Sequence, residues 1–447
     1  MTKTVSSCWS GLPVATGTCP CDAGVVIIGG GIVGVSTAYF LSKQGINVTL
    51  CEKGHIAGEQ SSRNWGWVRQ QGRAAEELPL MIRSLEIWRE LATEIGDDIG
   101  FKQGGCLYLA KTDKDLARFS NWLELAESHG LDTRILEVVE LESVVQCQPR
   151  DWRGAMYTPS DGRAEPHTAV AAIAHAAECQ GATILTACAV RGIETAAGRV
   201  ACVVTERGNI KSTNVVCAGG AWSALFCRSL GIGLPQLTVR NTVARTAPAE
   251  AITSGAVWST PVALRRRRDD GYTVAHGSMS EHFLDSASFR NCAKFLPAML
   301  RETGTIRVRR GNPLLHDLNG TDEWALDDVS PFERTRVLNP PPSPKIMREM
   351  RRNLDRYFPA LDDSPFVESW AGMIDVTPDV KPVISACDEL PGLHIATGFS
   401  GHGFGIGPGA GEAVAKLVTN ADMDIDLTPF RLSRFYDGSK LALGPAL

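Results

Sequence analysis

A short glycine-rich segment near the N-terminus, GGGIVG at residues 29–34, has the residue types and spacing of a phosphate-binding turn. Gly29 permits a tight turn from strand to helix, and Gly31 lets backbone N–H groups approach a pyrophosphate. Gly34 allows the following helix, beginning at Ile32, to pack closely on the strand, and the N-terminus of that helix attracts the diphosphate. The segment therefore predicts a dinucleotide site.

A carboxylate follows 18 residues after Gly34, where the second predicted strand ends. Glu52 at this position can accept hydrogen bonds from ribose hydroxyls, and it would repel a 2′-phosphate. We assign Glu52 and its neighbour Lys53 to the cofactor site. These residues are compatible with both FAD and NAD.

A second glycine-rich segment, residues 397–409, distinguishes the two cofactors. It precedes a predicted helix at residues 410–419, whose N-terminus can point at an isoalloxazine ring and favour the anionic reduced flavin. A nicotinamide-only dehydrogenase would leave this segment unexplained. We therefore predict FAD, with flavin contacts from Gly398, Gly401, His402, Gly403, Phe404 and Gly405.

The composition narrows the class of protein. The chain has 447 residues, of which 44% are apolar and 21% charged, and its formal net charge is −5. This length predicts two domains, and the mild negative charge argues against general nucleic-acid binding. No apolar run is long enough to span a membrane or form a signal-peptide core. The 13 cysteines contain no CxxC pair, which argues against disulfides and a metal site and favours reduced thiols in the cytoplasm.

The elements around these motifs follow from hydrophobic periodicity. A strand at residues 25–28, a helix at 32–44 and a strand at 47–51 form a βαβ unit of a doubly wound sheet. Helices are predicted at residues 79–95, 113–129 and 166–180, and strand-like runs predominate from about residue 235. Residues 311–345 are irregular, which is typical of an active-site lid or a disordered insert, and a helix follows to about residue 358.

Motifs along nearly the whole chain resemble those of the FAD-dependent D-amino-acid oxidase superfamily, which includes sarcosine oxidase, glycine oxidase and D-amino-acid dehydrogenase. The matching segments are VVIIGGGIVGVSTAYFLSKQGINVTLCEKG, EQSSRNWGWVR, SDGRAEPHTAVAAIAHAAECQGATI, VVCAGGAWS, WAGMIDVTPDVKPVIS and ATGFSGHGFGIGPGAGEAVAKL. They occur in the order found in that superfamily.

The resemblance implies an α/β fold in which a Rossmann-like FAD-binding domain is interleaved with a substrate domain made of a mixed β-sheet plus helices. The expected FAD-binding domain comprises residues 24–100, 155–234 and 366–425, and the substrate domain residues 101–154 and 235–365. A flexible arm (1–23) and a C-terminal tail (426–447) complete the chain. The resemblance further implies cofactor contacts from Ser61, Ser62, Arg63, Val190, Ala218, Gly219 and Trp222.

Four positions depart from the family pattern. Ile374 stands where glycine oxidase and D-amino-acid oxidase have a carboxylate-binding arginine, and Gly405 where sarcosine oxidase has a lysine. Gly372 replaces a cysteine that links flavin covalently in sarcosine oxidase, so we expect non-covalent FAD. Thr273 replaces an oxygen-activating lysine, which slightly favours a dehydrogenase that passes electrons to a quinone or another carrier.

Amine oxidation by a flavin mainly requires that the protein position the substrate and hold its anionic group. Arg69, in the loop NWGWVRQQGR, is the first choice for binding a carboxylate, and Arg266 in the run at 265–268 is the second. Arginines in such a run can equally be solvated at a sheet edge. His402 is expected to orient the substrate or tune the flavin, with a purely structural role as the alternative.

The expected function is oxidation of an amino acid or N-substituted amine by hydride transfer from Cα to flavin, giving an imine that hydrolyses. The alternatives are an FAD-dependent 2-hydroxy-acid dehydrogenase and a non-catalytic flavoprotein subunit of a larger assembly. The expected partners are a small substrate and either oxygen or an electron carrier, and self-association stays open. The expected location is the cytoplasm, or the periphery of the inner membrane for a dehydrogenase.

Overall fold

A computed structural model describes residues 18–301, 304–311, 318 and 323–444. Most of the predicted N-terminal arm, residues 1–17, lies outside these ranges, as does part of the irregular stretch at 311–345. Residues 21–23 lie along a strand edge, because the backbone N–H of Lys211 donates to the carbonyl of Cys21 at 3.0 Å and the N–H of Ala23 donates to the carbonyl of Lys211 at 3.0 Å.

The α-helices in the described ranges are α1 (Ile32–Lys43), α2 (Gln60–Arg63), α3 (Leu78–Glu94), α4 (Asp113–Ser128), α5 (Pro166–Cys179), α6 (Ser223–Ser229), α7 (Ser286–Arg290), α8 (Cys292–Arg301), α9 (Pro331–Arg334), α10 (Pro344–Tyr357) and α11 (Gly403–Thr419). None of these helices is both long enough and apolar enough to cross a lipid bilayer.

The β-strands in the same ranges are β1 (Val25–Ile28), β2 (Val48–Cys51), β3 (Trp67–Val68), β4 (Lys102–Gln103), β5 (Cys106–Ala110), β6 (Arg134–Leu136), β7 (Gly154–Thr158), β8 (Gly162–Arg163), β9 (Thr183–Leu185), β10 (Val190–Ala196), β11 (Arg199–Thr205), β12 (Gly208–Lys211), β13 (Val215–Cys217), β14 (Leu237–Thr246), β15 (Ala256–Trp258), β16 (Ala263–Arg266), β17 (Tyr272–Ala275), β18 (Ser280–Phe283), β19 (Ile306–Arg309), β20 (Phe366–Val376), β21 (Val383–Ala386) and β22 (Leu393–Thr397).

A six-stranded sheet in the order β21-β22-β13-β1-β2-β9 forms the first layer of the fold. Its pairs are parallel except for β21 against β22. The apolar run of β1 suits a parallel strand, because such strands are covered by helices on both faces. The helix α1 connects β1 to β2 and packs against α5 and α11, so the predicted βαβ unit and the Rossmann-like fold are confirmed.

A larger mixed sheet forms the second layer, in the order β19-β18-β14-β17-β16-β15-β5-β7-β6, with β20 paired to β14. Its strands come from two stretches, one between β2 and β9 and one between β13 and β21 of the first sheet, so the two sheets are interleaved along the chain. The strands β7 and β20 pair within this second sheet, although the expected boundaries place nearly all of β7 and all of β20 in the FAD-binding segments.

The helix α11 begins seven residues earlier than predicted, at Gly403 rather than residue 410. Several of its glycines allow close helix packing. A Cβ at Gly407 would lie 2.6 Å from Ile32 Cγ1, and one at Gly411 would lie 2.5 Å from Ser36 Cβ, both on α1. The glycine-rich segment is therefore partly the first turns of a helix pressed against α1, and not only a loop around the flavin.

Candidate active site

Two adjoining cavities lie between the two sheets. The nucleotide cavity is lined by the carboxyl ends of β1, β2 and β13 and by the start of α11. The substrate cavity has a volume of about 550 Å³ and lies against β14, β15 and α4. Gln60, Asn64, Ile374, Gly401 and Phe404 line both cavities, so the two form one continuous cleft.

The predicted glycine turn is built as a cradle that side chains would fill. Gly29 has a φ of +108°, and a Cβ there would lie 2.5 Å from the carbonyl oxygen of Ala218. A Cβ at Gly34 would lie 2.0 Å from the carbonyl oxygen of Gly29. Only glycine fits either position, and the space left beside the N-terminus of α1 suits a diphosphate.

The side chain of Glu52 is held at this turn by backbone N–H groups. Its Oε2 accepts from the N–H of Gly30 at 2.7 Å, and its Oε1 accepts from the N–H of Gly54 at 2.7 Å. Burial raises the pKa of Glu52. The carboxylate lines the nucleotide cavity with free lone pairs on both oxygens, which suits ribose hydroxyls.

Glu59, which sequence reasoning missed, fastens a chain segment over the nucleotide cavity. Its carboxylate accepts from Lys53 Nζ at 2.9 Å, from Trp222 Nε1 at 3.0 Å and from the backbone N–H of Leu338 at 3.0 Å. The guanidinium of Arg63 also donates to the carbonyl of Leu338, at 2.6 Å. Part of the stretch predicted as a lid or a disordered insert therefore packs beside the nucleotide cavity.

Most of the predicted cofactor contacts meet in the cleft, and a few do not. The predicted residues that line the nucleotide cavity are Gly29, Gly31, Ile32, Glu52, Lys53, Ser61, Val190, Ala218, Gly219, Trp222, Gly401, Gly403 and Phe404. Those that line only the substrate cavity are Arg63, Arg69, His402 and Gly405. Those that line neither are Gly34, Ser62, Gly398 and Arg266.

The exceptions have local reasons. Gly34 acts through helix packing, and the hydroxyl of Ser62 donates to the carbonyl of Glu59 at 3.2 Å. The N–H of Gly398 donates to Asp375 Oδ2 at 2.6 Å. Gly405 lines the substrate cavity, but a Cβ there would lie 2.9 Å from the carbonyl oxygen of Trp67, so this position packs against the backbone of β3.

The structure places Arg266 outside both cavities, which argues against its predicted role in binding substrate. Its guanidinium donates to the carbonyl of Ala249 at 2.9 Å and to Asp270 at 2.8 Å. The neighbouring Arg265 faces the other side of β16, as alternation in a strand requires, and donates to Glu165 Oε1 at 2.7 Å. Neither arginine lines the substrate cavity, and Arg265 instead supports its wall by donating to the carbonyl of Trp65 at 2.6 Å.

Aromatic side chains form part of the wall of the substrate cavity. Arg265 and the strand pairing of β15 with β5 and β16 hold this wall in place. The aromatic side chains that line it are Trp65, Trp67, Tyr108, Phe119, Trp122, Trp258, His276, His402 and Phe404. Residues 442–444 of the predicted C-terminal tail also line the cavity, and the backbone N–H of Gly444 donates to the carbonyl of Asp379 at 2.7 Å.

Two arginines lie side by side in the wall of the substrate cavity. Arg69 stands over the ring of Tyr108, at 5.5 Å from its centroid. Arg73, four residues further along the same loop, is 3% exposed, and its Nη1 has no hydrogen-bond partner among the described residues. Burial lowers the pKa of Arg73 to about 10, so it stays charged at neutral pH. Sequence reasoning selected Arg69 and missed Arg73, although both lie in NWGWVRQQGR.

His402 and Glu77 form a buried pair beneath the same cavity. The Nδ1 of His402 lies 3.4 Å from Oε1 of Glu77. Burial and the nearby Arg73 lower the pKa of His402 to about 4. Burial alone would raise the pKa of Glu77, but His402 and Arg73 outweigh it and hold that pKa below its ordinary value. The pair is therefore a neutral imidazole beside a carboxylate at neutral pH.

The described residues contain no group of three or more His, Cys, Asp or Glu side chains placed to hold a metal ion. The cleft does fit FAD. The diphosphate fits at the glycine cradle and the ribose fits beside the carboxylate of Glu52. The continuity of the two cavities leaves room for the ring.

Known proteins share this fold and are similar to this chain in sequence. Residues 24–417 match the family described as FAD dependent oxidoreductase. L-Amino acid deaminase from Proteus myxofaciens, solved in complex with anthranilate, is 33% identical, with a TM-score of 0.90 over 95% of this chain and 96% of that one. L-Proline dehydrogenase from P. horikoshii is 27% identical, with a TM-score of 0.78 over 94% of this chain and 100% of that one.

Among curated relatives, mouse sarcosine dehydrogenase is 24% identical over 93% of this chain, which spans only 42% of that protein. Glycine oxidase from Bacillus subtilis is 24% identical over 92% of this chain and 96% of its own length. The family match covers the glycine cradle and the residues that line both cavities, except for residues 442–444. The chain belongs to the FAD dependent oxidoreductase family.

Proposed function

We propose that this FAD-dependent oxidoreductase oxidises an α-amino acid or N-substituted amino acid at Cα, giving an imine that hydrolyses. The observation that carries this proposal is the pair Arg69 and Arg73 in the wall of an aromatic cavity that is continuous with the nucleotide cavity. When bound, FAD supplies the acceptor for the hydrogen that leaves Cα.

The two arginines hold the carboxylate of the substrate. Arg73 is buried, charged and has an unpartnered Nη1, and a buried donor of this kind gains most from a ligand that accepts its hydrogen bond. Arg69 provides the neighbouring cation. Ile374, where related oxidases carry an arginine, contributes apolar surface to the cleft instead. The carboxylate site has therefore moved from β20 to the loop before α3.

The aromatic wall favours a substrate with a large apolar side chain. Rings such as Trp65, Trp122 and Trp258 gain most by covering apolar surface, and a small substrate would leave them exposed to water. The anthranilate bound by the Proteus relative is likewise an aromatic carboxylate. We propose phenylalanine-like and leucine-like amino acids as the substrate class.

The FAD is held without a covalent bond. The covalent link of sarcosine oxidase requires a cysteine side chain at the position of Gly372, whereas a Cβ there would lie 1.7 Å from Oε1 of Gln60. The electron acceptor is a quinone or another carrier. Thr273, where sarcosine oxidase has its oxygen-activating lysine, accepts from Arg265 Nη2 at 3.1 Å and lies outside both cavities.

Every described cysteine is free, which supports a cytoplasmic location, with attachment to the inner membrane for a quinone-linked enzyme.

Anaerobic reduction of the purified flavoprotein tests the proposal. We expect the visible absorbance of the flavin to bleach with an amino acid of large apolar side chain, faster than with glycine or sarcosine. The panel includes both enantiomers and the corresponding 2-hydroxy acids. Bleaching by hydroxy acids alone would select a hydroxy-acid dehydrogenase, and no bleaching by any compound would favour a non-catalytic subunit.

A further inference from the structure

The buried pair His402 and Glu77 stands next to the carboxylate site but has no role in holding the carboxylate. Glu77 is the residue before α3, and His402 is the residue before α11. The side chain of Glu77 is 0% exposed and that of His402 is 4% exposed. His402 nevertheless lines the substrate cavity.

Glu77 determines which nitrogen of His402 carries the hydrogen. A neutral imidazole has one N–H donor and one acceptor nitrogen, whereas an ionised carboxylate can only accept. Because Oε1 of Glu77 faces Nδ1, the hydrogen resides on Nδ1. Nε2 is then left with a lone pair and acts as a hydrogen-bond acceptor.

The charges around the ring keep it neutral. The Nη2 of Arg73 donates to the backbone carbonyl of His402 at 3.4 Å, and Arg69 lies beyond it. Both cations disfavour a protonated ring. On the neighbouring segments, the carboxylate of Glu76 is occupied by Lys381 Nζ at 2.7 Å, so Glu77 is the carboxylate directed at His402.

We infer that Nε2 of His402 accepts a hydrogen bond from the amino group of the substrate, and that Glu77 is the positioning residue that keeps this nitrogen an acceptor. The inference rests on the proposed function and adds a second polar anchor to it. Arg69 and Arg73 hold the carboxylate, His402 holds the nitrogen, and the aromatic wall holds the side chain. Three fixed groups leave one position for the Cα hydrogen, so the enzyme discriminates between enantiomers.

Two aromatic acids that the enzyme cannot oxidise test the contact. 2-Aminobenzoate carries a neutral amine beside its carboxylate, whereas benzoate has no amine. Dissociation constants are measured from the change that each acid causes in the visible spectrum of the bound flavin. Since one hydrogen bond is worth about 1 kcal/mol net, we expect 2-aminobenzoate to bind roughly fivefold more tightly to the wild type.

Variants test whether His402 and Glu77 cause the preference for 2-aminobenzoate. We expect His402→Phe and Glu77→Ala each to bring the ratio of the two dissociation constants close to one, since the first removes the acceptor and the second its fixed tautomer. Glu77→Gln should keep the preference, because its amide oxygen still accepts from Nδ1. A structural role for Glu77 would lower the affinity for both acids together and leave the ratio unchanged.

Nitrogen NMR of protein labelled at histidine gives a reading that does not depend on the variants binding FAD. We expect the His402 ring to show a protonated Nδ1 and an unprotonated Nε2 at neutral pH. A hydrogen on Nε2, or an unchanged ratio in His402→Phe, would overturn the inference. If neither acid binds the wild type, the proposed carboxylate site is contradicted, and the inference, which depends on that site, is contradicted with it.

Discussion

At the scale of single residues, the arginines show what spacing can and cannot decide. The run at residues 265–268 has a high density of positive charge, yet Arg265 and Arg266 donate to Glu165 and Asp270. Arg73, outside that run, keeps one nitrogen, Nη1, without a partner among the described residues. A cationic side chain is available to a ligand only where the fold leaves it without enough protein partners. The sequence around the residue does not show whether such partners are present.

The two predicted carboxylate-binding arginines provide a matched pair of variants. Arg69→Met should raise KM for an amino acid by about 10- to 100-fold, because a charge-assisted hydrogen bond is worth roughly 1.5–3 kcal/mol. Arg266→Met should leave KM within about twofold, since its guanidinium is bound to Ala249 and Asp270 outside the cleft. Steady-state kinetics measure both values. Equal effects in the two variants would contradict the assignment.

Residues that act through a partner were the hardest to predict. Glu77 belongs to no motif, and Glu59 only opens the segment EQSSRNWGWVR. Both lie far in sequence from the residues they contact, Leu338 and His402. Gly29, Gly31 and Glu52 were found because their contacts lie within one βαβ unit, where spacing along the chain determines position in space. Long-range contacts need the tertiary fold.

At the scale of elements, the sequence predicted most helices and strands to within a few residues. The helix predicted at residues 113–129 is α4, Asp113–Ser128, because its apolar residues recur at helical spacing. The start of α11 was misplaced, because glycines indicate a loop by propensity. Tertiary packing overrides that preference here: Gly405 and Gly409 lie against β3 and α3, and Gly407 and Gly411 against α1.

This packing determines whether the substitution Gly411→Ala raises or lowers the free energy of unfolding. Helix propensity alone would make alanine more stable by about 1 kcal/mol. The added Cβ would however lie 2.5 Å from Ser36 Cβ and 2.8 Å from the backbone nitrogen of Thr37. We expect a net loss of about 1–3 kcal/mol in the free energy of unfolding and weaker FAD binding, because α1 carries the diphosphate cradle.

Chemical denaturation and FAD titration measure the two effects of Gly411→Ala. Lys416→Ala on the same helix is the control, since it removes only an ion pair with the exposed Asp424 and should change stability by less than about 1 kcal/mol. A more stable Gly411→Ala protein would show that α11 and α1 are not in close contact.

At the scale of the whole molecule, the interleaving of two sheets could be expected only from the family resemblance. Periodicity predicts strands but not which sheet each one joins, and Phe366–Val376 illustrates the point: it pairs with β14 and not with the first sheet. The placement of residues 331–338 beside the nucleotide cavity and of residues 442–444 at the substrate cavity could not be read from composition. The division into domains remains a proposal.

Buried histidines couple the stability of the molecule to pH. His394 on β22 is 8% exposed, its Nδ1 has no partner among the described residues, and burial lowers its pKa to about 4. The unfolded chain takes up a proton near pH 6.5, whereas the folded chain does so only near pH 4. Stability from this group is therefore present above pH 6.5 and is lost as the pH falls to about 4.

The variant His394→Gln isolates this effect. The free energy of unfolding of the wild type, relative to that of the variant, should fall by about 3 kcal/mol between pH 7 and pH 4, at about 1.4 kcal/mol per unit of pKa shift. Denaturant titrations at several pH values measure it. In the control His175→Gln, at an exposed position, the difference should stay nearly constant. A constant difference for His394→Gln would contradict the buried, neutral state.

Hydrogen–deuterium exchange of the apoprotein and the FAD-loaded protein tests most directly whether one molecule of FAD spans the two cavities. We expect FAD to slow exchange at three separated stretches together: residues 29–32 at the diphosphate cradle, residues 218–220 beside it, and residues 401–405 at the ring end. Protection confined to the first two stretches, with residues 401–405 unchanged, would contradict the continuous cleft.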